Sequence, residues 1–303
     1  MDLRKLEAFY YVYITGSFSK AGTEMFLSQP TVSAHVSALE KELGVLLFDR
    51  SGKVALPTPA GKLLFDRVRE IFELVQKTKQ EISLLKGKVE GEVVIGASTI
   101  PGNYLLPRTI SGFLKLYKNV KIFLEIGDSL SIWNKVLTGK VDFGLTGALY
   151  EDSLLETVKL LEDDLIIIAS KNYWFKLDSN TWNIGDLLDL PWVVREKGSG
   201  TRKSFEKALN SLGIFTSELN VVLEAQNTES LLQCVFQGVG LGFCSRLAAQ
   251  KYLEKKELIE VKLKNIHISR CFYLVWHKRR TFLPLAQRLR EVIIKDIKEM
   301  RDV

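Results

Sequence analysis

The pattern of apolar residues changes abruptly near residue 90. Residues 1–88 show helical periodicity almost throughout, whereas residues 92–303 alternate short β-branched runs with helical stretches. Alternation of this kind favours α/β architecture with mostly parallel sheets. We therefore predict an α/β protein whose N-terminal part is all helical. Gly87 and Gly91 bracket the change, as expected for a helix end followed by a short hinge.

Composition excludes several classes of protein. The chain has 303 residues, 46% of them hydrophobic and 26% charged, which predicts two or three folded domains rather than a disordered chain. No apolar run reaches the roughly 18 residues of a membrane-spanning helix. The first five residues lack the apolar core of a signal peptide, and three cysteines are too few for a disulfide scaffold. We expect a cytoplasmic protein, and the net charge of +6 permits a nucleic-acid partner.

A predicted third helix combines a buried stripe with an unusually small and polar outer face. Ser28 can cap this helix, with Pro30 in its first turn. The apolar stripe follows i, i+4, i+7 and i+11 spacing and consists of Val32, Val36, Leu39 and Leu43. The opposite face carries Pro30, Ser33, Ala34, Ser37 and Lys41. A face of this kind can approach another surface closely.

The segments around this helix favour a winged helix-turn-helix. A shorter helix precedes it, capped by Ser17 or Ser19 and ending near Phe26. Residues 48–56 resemble a small β-wing with Gly52 at its turn, where Arg50 and Lys53 are candidate phosphate contacts. A three-helix bundle with a solvated face is the alternative that periodicity alone leaves open.

Five motifs in this region resemble the N-terminal signature of the LysR-type transcriptional regulators. They are Gly16-Ser17-Phe18-Ser19-Lys20-Ala21, Leu27-Ser28-Gln29-Pro30-Thr31-Val32-Ser33, Leu39-Glu40 with Leu43-Gly44, Leu47-Phe48-Asp49-Arg50, and Leu56-Pro57-Thr58-Pro59-Ala60-Gly61. The resemblance implies a winged helix-turn-helix domain over residues 1–58 that binds a double-stranded DNA operator. We predict that its DNA contacts are Gln29, Pro30, Thr31, Ser33, Ala34, Ser37, Arg50 and Lys53.

A long helix is predicted from Pro59 to about Lys86, with Thr58 as its cap. Alternating spacings of four and three residues place seven side chains on one stripe: Leu64, Val68, Ile71, Val75, Thr78, Ile82 and Leu85. This pattern is typical of a coiled coil. Packing on its own domain is the alternative, which we disfavour because no other part of residues 1–88 offers a partner surface. The family likewise dimerises through this linker helix, here residues 59–88.

Beyond residue 90 the resemblance implies an effector-binding domain over residues 91–303. Its fold would be like that of periplasmic solute-binding proteins, with two α/β lobes separated by a cleft. The first lobe would contain residues 91–163 and 268–303, and the second residues 164–267. The resemblance also implies a homodimer that assembles into a homotetramer, and RNA polymerase is a further partner that such a regulator can have.

Three predicted strand-to-helix loops are candidate ligand sites. They cover residues 96–104, 127–129 and 195–202, and each offers hydroxyls or backbone N–H groups at a helix start, where anions bind. Each loop alone could be a simple helix cap. Effector positions of the family correspond here to Ser98, Thr99, Ser129, Thr146, Ser199 and Thr201. We predict a small, anionic effector; residues 97–107 are most similar to members that regulate sulfur or inorganic-carbon assimilation.

Other functions have weaker support in the sequence. The three histidines are scattered, and no HExxH, CxxC, nucleophile-elbow or Walker motif is present, so we predict no enzymatic activity, no metal and no cofactor. A redox-sensing regulator that uses Cys234 and Cys244 is an alternative, although both thiols lie in apolar surroundings. A solute-binding protein without a DNA role is a further alternative, disfavoured by the N-terminal motifs.

Overall fold

The structure is a computed structural model that describes residues 1–49, 54–85, 88–174, 181–264, 266–280 and 282–300. Contacts within the chain divide it into two compact units, Met1–Ile82 and Ser83–Val303. Each unit is described by itself. No helix of the described residues is long and apolar enough to cross a membrane.

The first unit is a helical domain, and most of its helix ends coincide with capping residues of the sequence. Its helices are α1 (Leu3–Thr15), α2 (Phe18–Met25), α3 (Gln29–Leu43) and all but the last three residues of α4 (Pro59–Leu85). Gly16 ends α1 in the left-handed conformation, and the Ser17 side chain caps α2. Ser28 accepts a hydrogen bond from the Thr31 N–H at the start of α3, which confirms the predicted cap.

A two-stranded sheet follows α3, as the wing prediction requires. Strand β1 (Phe48–Asp49) pairs antiparallel with β2 (Leu56–Pro57). The buried Glu40 carboxylate of α3 accepts hydrogen bonds from the backbone N–H groups of Leu47 (2.8 Å) and Phe48 (3.3 Å), so it fastens the start of this sheet to the helix. The predicted turn at Gly52, with Arg50 and Lys53, lies outside the described residues.

The first half of α4 packs against α1 of the same chain. The ring of Phe65 stacks on Tyr13 with centroids 3.8 Å apart and lies 5.5 Å from the ring of Tyr10. Val68 is fully buried in the same core. The expectation that residues 1–88 offer α4 no partner surface is therefore wrong, because a row of aromatic side chains on α1 provides one. Only the second half of the stripe is left uncovered, with Ile82 48% and Leu85 88% exposed.

Phe26 ends α2 in the left-handed backbone conformation, which glycine and asparagine adopt more readily than phenylalanine does. Its φ is 54°, in the left-handed region, and its side chain is 96% exposed. The left-handed conformation costs an L-residue with a bulky side chain about 1 kcal/mol of folding free energy, and the cost for asparagine is smaller. We expect Phe26→Asn to raise the free energy of unfolding of the first unit by about 0.5–1 kcal/mol, measured by urea unfolding. A decrease would mean that the exposed ring makes a stabilising contact.

In the second unit, the described residues form one nine-stranded sheet. Its strands are β3 (Glu90–Ser98), β4 (Asn119–Gly127), β5 (Phe143–Thr146), β6 (Leu155–Ser170), β7 (Trp192–Arg195), β8 (Val221–Ala225), β9 (Leu241–Ser245), β10 (Leu258–Val261) and β11 (Ile268–His277). The order is β4-β3-β5-β11-β6-β9-β7-β8, and β10 pairs with β6. Strands β3, β4 and β5 form a first lobe, strands β7 to β10 form a second lobe, and β6 and β11 connect the two.

The expectation of mostly parallel sheets holds within the lobes but not across them. Strand β3 is parallel to β4 and β5, and β7 is parallel to β8 and β9. Every pairing of β6 and β11 is antiparallel. The chain leaves the first lobe along β6 and returns along β11, so these two strands must run in opposite directions. The sheet is therefore mixed.

Helices cover the sheet and complete the two lobes. They are α5 (Leu106–Leu116), α6 (Ser129–Thr138), α7 (Lys171–Trp174), α8 (Gly200–Ser211), α9 (Thr228–Phe236), α10 (Arg246–Glu254) and α11 (Pro284–Glu299). A single π-helical turn, Pro101–Leu105, precedes α5. Because α11 packs on α5 and β3, the end of the chain completes the first lobe. The aromatic residues Trp192, Phe205 and Phe243 lie in the core of the second lobe.

Candidate functional sites

The outer face of α3 is open over most of the predicted contact positions. Gln29, Pro30, Ala34 and Ser37 are exposed, while Thr31 and Ser33 are half-buried. The Thr31 hydroxyl lies 2.7 Å from the Ser28 hydroxyl, so it belongs to the helix cap. The structure therefore gathers six of the eight predicted DNA contacts on one helix, and the other two, Arg50 and Lys53, lie outside the described residues.

The charge of α3 suits an anionic surface. Residues 29–38 contain no acidic side chain. Of the two glutamates that follow, Glu40 is turned inward to β1, and Glu42 pairs with the N-terminal amino group and with Lys5, 3.1 Å away. The start of the helix adds the partial positive charge of the helix dipole, which attracts phosphate. Small side chains without negative charge let this face enter a DNA groove.

In the second unit, three strand-to-helix junctions meet between the lobes. Strand β3 ends at Ser98, β4 ends at Gly127, and β7 is followed by a short loop and α8. The Asp128 side chain caps α6 through the Ser131 N–H at 2.8 Å, and Ser199 caps α8 through the Arg202 N–H at 3.4 Å. Parallel strands place ligands beyond their carboxyl ends, so the position is the expected one.

The two lobes touch closely at this cleft, and glycines make the approach possible. Within the first lobe, Ser129 accepts a hydrogen bond from the Gly147 N–H at 3.2 Å, which holds its side chain at the edge of the cleft. A Cβ on Gly200 would lie 2.7 Å from the Ser129 Oγ, and one on Gly198 would lie 2.6 Å from the Asp128 Oδ1. The cavity that remains has a volume of about 10 Å³, room for about one water molecule. The structure thus has a closed cleft.

Five of the six predicted effector positions line this cavity: Ser98, Thr99, Ser129, Ser199 and Thr201. All five are buried. Thr146 is not part of the lining, because its hydroxyl donates to the Ala148 carbonyl at 3.0 Å inside the first lobe. The Thr99 hydroxyl donates a long hydrogen bond of 3.5 Å to the Gly127 carbonyl, a contact that a better acceptor could replace.

Two buried arginines of the cleft were missed among the predicted site residues. Each guanidinium nitrogen of Arg195 has a partner, since the group donates to both carboxylate oxygens of Glu196 and to the Thr228 hydroxyl. Arg270, on β11, donates from Nε to Asp163 at 3.0 Å, while its buried Nη2 has no hydrogen-bond partner among the described residues. An unsatisfied buried donor is costly. The Arg270 Nη2 group is therefore a charged donor of the cleft that can form a hydrogen bond to a ligand.

Asp163 holds Arg270 in place from the crossover strand β6. Its carboxylate accepts from the Ser245 hydroxyl at 2.6 Å as well as from Arg270. Burial raises the pKa of Asp163, and the adjacent guanidinium opposes that change. Burial likewise lowers the pKa of Arg270. The Ser245 hydroxyl and the Asp163 carboxylate thus fix the position of Arg270, and an anion at Nη2 would offset the desolvation of the guanidinium.

The sequence did contain a signal for Arg270. Along β11, Arg270, Phe272 and Leu274 alternate in phase and are all buried. A charged residue in the buried phase of a strand needs a partner, and its location marks a possible ligand site. The family resemblance assigns no effector position to this strand, so Arg270 is absent from the predicted site.

The cysteines give the redox alternative no support. Cys244 is buried in β9, and burial raises the pKa of its thiol, which disfavours the reactive thiolate. Cys234 is half-buried on α9, and all three cysteines are free thiols. Within the described part of the chain, no cluster of His, Cys, Asp and Glu has the arrangement of a metal site.

Family profiles match both units of the chain. Residues 3–62 match the profile described as "Bacterial regulatory helix-turn-helix protein, lysR family". Residues 86–297 match the profile described as "LysR substrate binding domain". The second match begins near the point where the apolar pattern changes, and residues 63–85 lie between the two matches.

Individual proteins are similar over the same length. A "Probable RuBisCO transcriptional regulator" of Cyanidium caldarium is 33% identical over 282 residues, 92% of this chain and 88% of that protein. Full-length OxyR of Pseudomonas aeruginosa has a similar fold, with a TM-score of 0.72 at 20% identity over 98% of this chain and 95% of that one. The regulatory domain of Synechocystis PCC6803 CcmR, solved in complex with 2-PG, gives a TM-score of 0.63 at 20% identity, covering 70% of this chain and 99% of that one.

Proposed function

The chain belongs to the LysR family of DNA-binding transcriptional regulators, and from that premise we propose that a small anion bound between its two lobes controls its action on DNA. The DNA contacts would come from the outer face of α3 and the following wing. We also propose that it acts in the cytoplasm, that it catalyses no reaction, and that it works as a homodimer or homotetramer.

The buried Arg270 Nη2 without a partner is the observation that carries the proposal of an anion. A charge-assisted hydrogen bond from a guanidinium to a carboxylate, sulfate or phosphate is among the stronger polar contacts in proteins. The hydroxyls of Thr99 and Thr201 and the N–H groups at the start of α8 line the same cavity. Asp128 is the acidic side chain among the described lining residues, and its carboxylate caps α6 without a cation beside it, so it favours a small anion of low charge.

The position of the cavity explains how a ligand would act on the whole protein. Thr99 belongs to the first lobe and Thr201 to the second, so one anion can contact both. A ligand shifts an equilibrium only by binding one geometry better than another, and contact with both lobes favours the closed cleft. Because the closed cavity holds about one water, the lobes must separate for a larger ligand to enter. The 2-PG complex of the related CcmR domain supports a small ligand for this fold.

A ligand test can use the full chain and simple anions. We expect sulfate, orthophosphate or 2-PG to raise the melting temperature, because a ligand of the native state stabilises it. Thr201→Ala should weaken the binding of the effective anion roughly tenfold, because it removes one hydrogen bond to a charged group. Thr216→Ala, in a short helical turn of the same lobe, is the matched control. Equal affinity in both variants would place the anion elsewhere.

The DNA contacts can be tested on a fragment selected in vitro by the wild-type chain. We expect Ser33→Glu to abolish binding in a gel shift while circular dichroism stays unchanged, because the added carboxylate would face the DNA phosphates. Ser217→Glu introduces the same charge on an exposed site of the second unit and should leave binding nearly unchanged. Wild-type binding by Ser33→Glu would refute the assignment of α3.

A further inference from the structure

A second cavity of the Ser83–Val303 unit is much larger than the effector cleft. Its volume is about 560 Å³, within the range of small-molecule sites. One wall is a face of α8 and the other is the start of β11, with residues 147–149 closing one end. We call this cavity the lysine pocket. Its lining is Gly147, Ala148, Leu149, Lys203, Ser204, Lys207, Ala208, Ser211, residues 267–271 and Tyr273.

We propose that the lysine pocket binds a phosphorylated small metabolite with at least two negative charges. Three cations line it, Lys203, Lys207 and Arg270, and the lining contains no carboxylate. Lys203 and Lys207 are one turn apart on α8, so both ammonium groups lie along the same wall. Two ammonium groups at this spacing can bind a ligand whose negative charge is divided between two separate groups.

The acidic residues beside the β11 wall of the pocket already have partners, and Asp163 lies 3.0 Å from Arg270. Asp164 lies 3.0 Å from the ring nitrogen of His267 and 3.8 Å from Arg246. Glu162 accepts from the Ser269 hydroxyl at 2.7 Å and lies 3.7 Å from Lys159. Lys203 and Lys207, on the α8 wall, have no carboxylate partner among the described residues and line the cavity.

Lys203 is already held toward the pocket. Its Nζ donates to the Leu149 carbonyl at 2.9 Å and lies 4.1 Å from the centre of the Tyr150 ring. Ala148, Ala208 and Ile268 provide apolar surface beside the charged groups. A ligand with an organic body and charged ends fits this lining better than a bare ion does.

The lysine pocket is separate from the effector cleft. Among the residues that the structure describes, Arg270 alone lines both cavities. The cleft is closed and carries Asp128, whereas the lysine pocket is open and cationic. Since α8 belongs to the second lobe and residues 147–149 to the first, a ligand in the pocket would also contact both lobes. This proposal does not depend on the anion in the cleft.

Cys271 lies on the pocket wall and provides a local readout. In a Cys234→Ser chain, with Cys244 buried, iodoacetamide should label Cys271. We expect fructose 1,6-bisphosphate to slow this labelling at least several-fold, while fructose, which lacks the phosphates, has no effect. Calorimetry of the wild-type full chain with the same two probes gives the affinity.

Substitutions in two lysine pairs of the same spacing distinguish binding in the lysine pocket from binding that depends only on the net charge of the protein. Lys203→Gln with Lys207→Gln should weaken bisphosphate binding at least tenfold, because both phosphate contacts lose their charge. Lys251→Gln with Lys255→Gln makes the same charge change on α10 and its C-terminal cap and should leave the affinity unchanged. Thermal unfolding checks that both variants fold.

Each other outcome overturns the proposal. Equal losses in both pairs would mean that the bisphosphate binds by net charge alone. Loss of affinity in Thr201→Ala but not in the Lys203/Lys207 variant would assign the bisphosphate to the effector cleft. No protection of Cys271 and no heat at millimolar bisphosphate would mean that the pocket takes no phosphorylated ligand of this size.

Discussion

Asp163→Asn combined with Arg270→Gln should reduce the affinity for the cleft anion by about 10- to 100-fold. The charge-assisted hydrogen bond from Nη2 is worth about 1.5–3 kcal/mol, which corresponds to that factor. Arg270 and Asp163 form an ion pair in the native chain. Changing both residues therefore removes the guanidinium without leaving the Asp163 carboxylate buried and unpaired. Calorimetry with the anion that stabilises the wild-type chain measures the effect. Wild-type affinity would exclude Arg270 from the site.

The single substitution Arg270→Gln provides the pH control. Burial already raises the pKa of Asp163, and loss of the neighbouring cation raises it further. A carboxyl whose pKa is raised by folding contributes stability below its unfolded pKa, and that contribution is lost as the pH rises through the folded pKa. The melting temperature of Arg270→Gln should therefore fall from pH 4 to pH 8 more steeply than that of the double variant. If the melting temperatures of the two variants depend on pH in the same way, Arg270 is not the cation that stabilises the Asp163 carboxylate.

Ile82→Asp combined with Leu85→Asp should convert the dimer into monomers. These two residues belong to the exposed half of the α4 stripe, and a carboxylate pair in a coiled-coil seam faces its copies across apolar surface. Analytical ultracentrifugation of the full chain measures the change, and unchanged circular dichroism would show that the helices remain. Gln76→Asp with Gln80→Asp adds the same charge on the opposite side of α4 and should leave the dimer intact.

Val68→Asp distinguishes the two halves of the same helix. Val68 is fully buried against α1, so a carboxylate there should destabilise the first unit itself by several kcal/mol. A dimer that survives Ile82→Asp with Leu85→Asp, with normal stability, would show that the exposed half of α4 is not the seam.

Local structure was predictable where short-range chemistry determines it. Ser28 and Pro30 define the start of α3, Thr58 defines the start of α4, and Gly16 ends α1, because caps depend on residues within one helical turn. The family resemblance placed the strand-to-helix loops, and the fold brings five of the six predicted effector positions to one cavity.

Contacts between distant segments were not predictable in the same way. A heptad pattern shows that a helix face is apolar, but it does not show which surface covers it, and α1 covers the Val68 region in this chain. The position of Arg270 in the cleft depends on β11 pairing with β6, which brings together residues more than 100 positions apart. Thr146 fails to enter the cavity because its hydroxyl bonds to a carbonyl two residues away.

Control of DNA binding by an anion in the cleft is tested most directly by fluorescence anisotropy on the selected DNA fragment. The affinity of the full chain is measured with sulfate, orthophosphate and 2-PG, each compared with chloride at the same ionic strength, because salt alone weakens DNA binding. We predict that at least one of these anions changes the wild-type affinity beyond the chloride curve and that Asp163→Asn with Arg270→Gln removes the difference. Curves that superimpose on chloride for all three anions, or a difference that the double variant retains, would contradict the proposal.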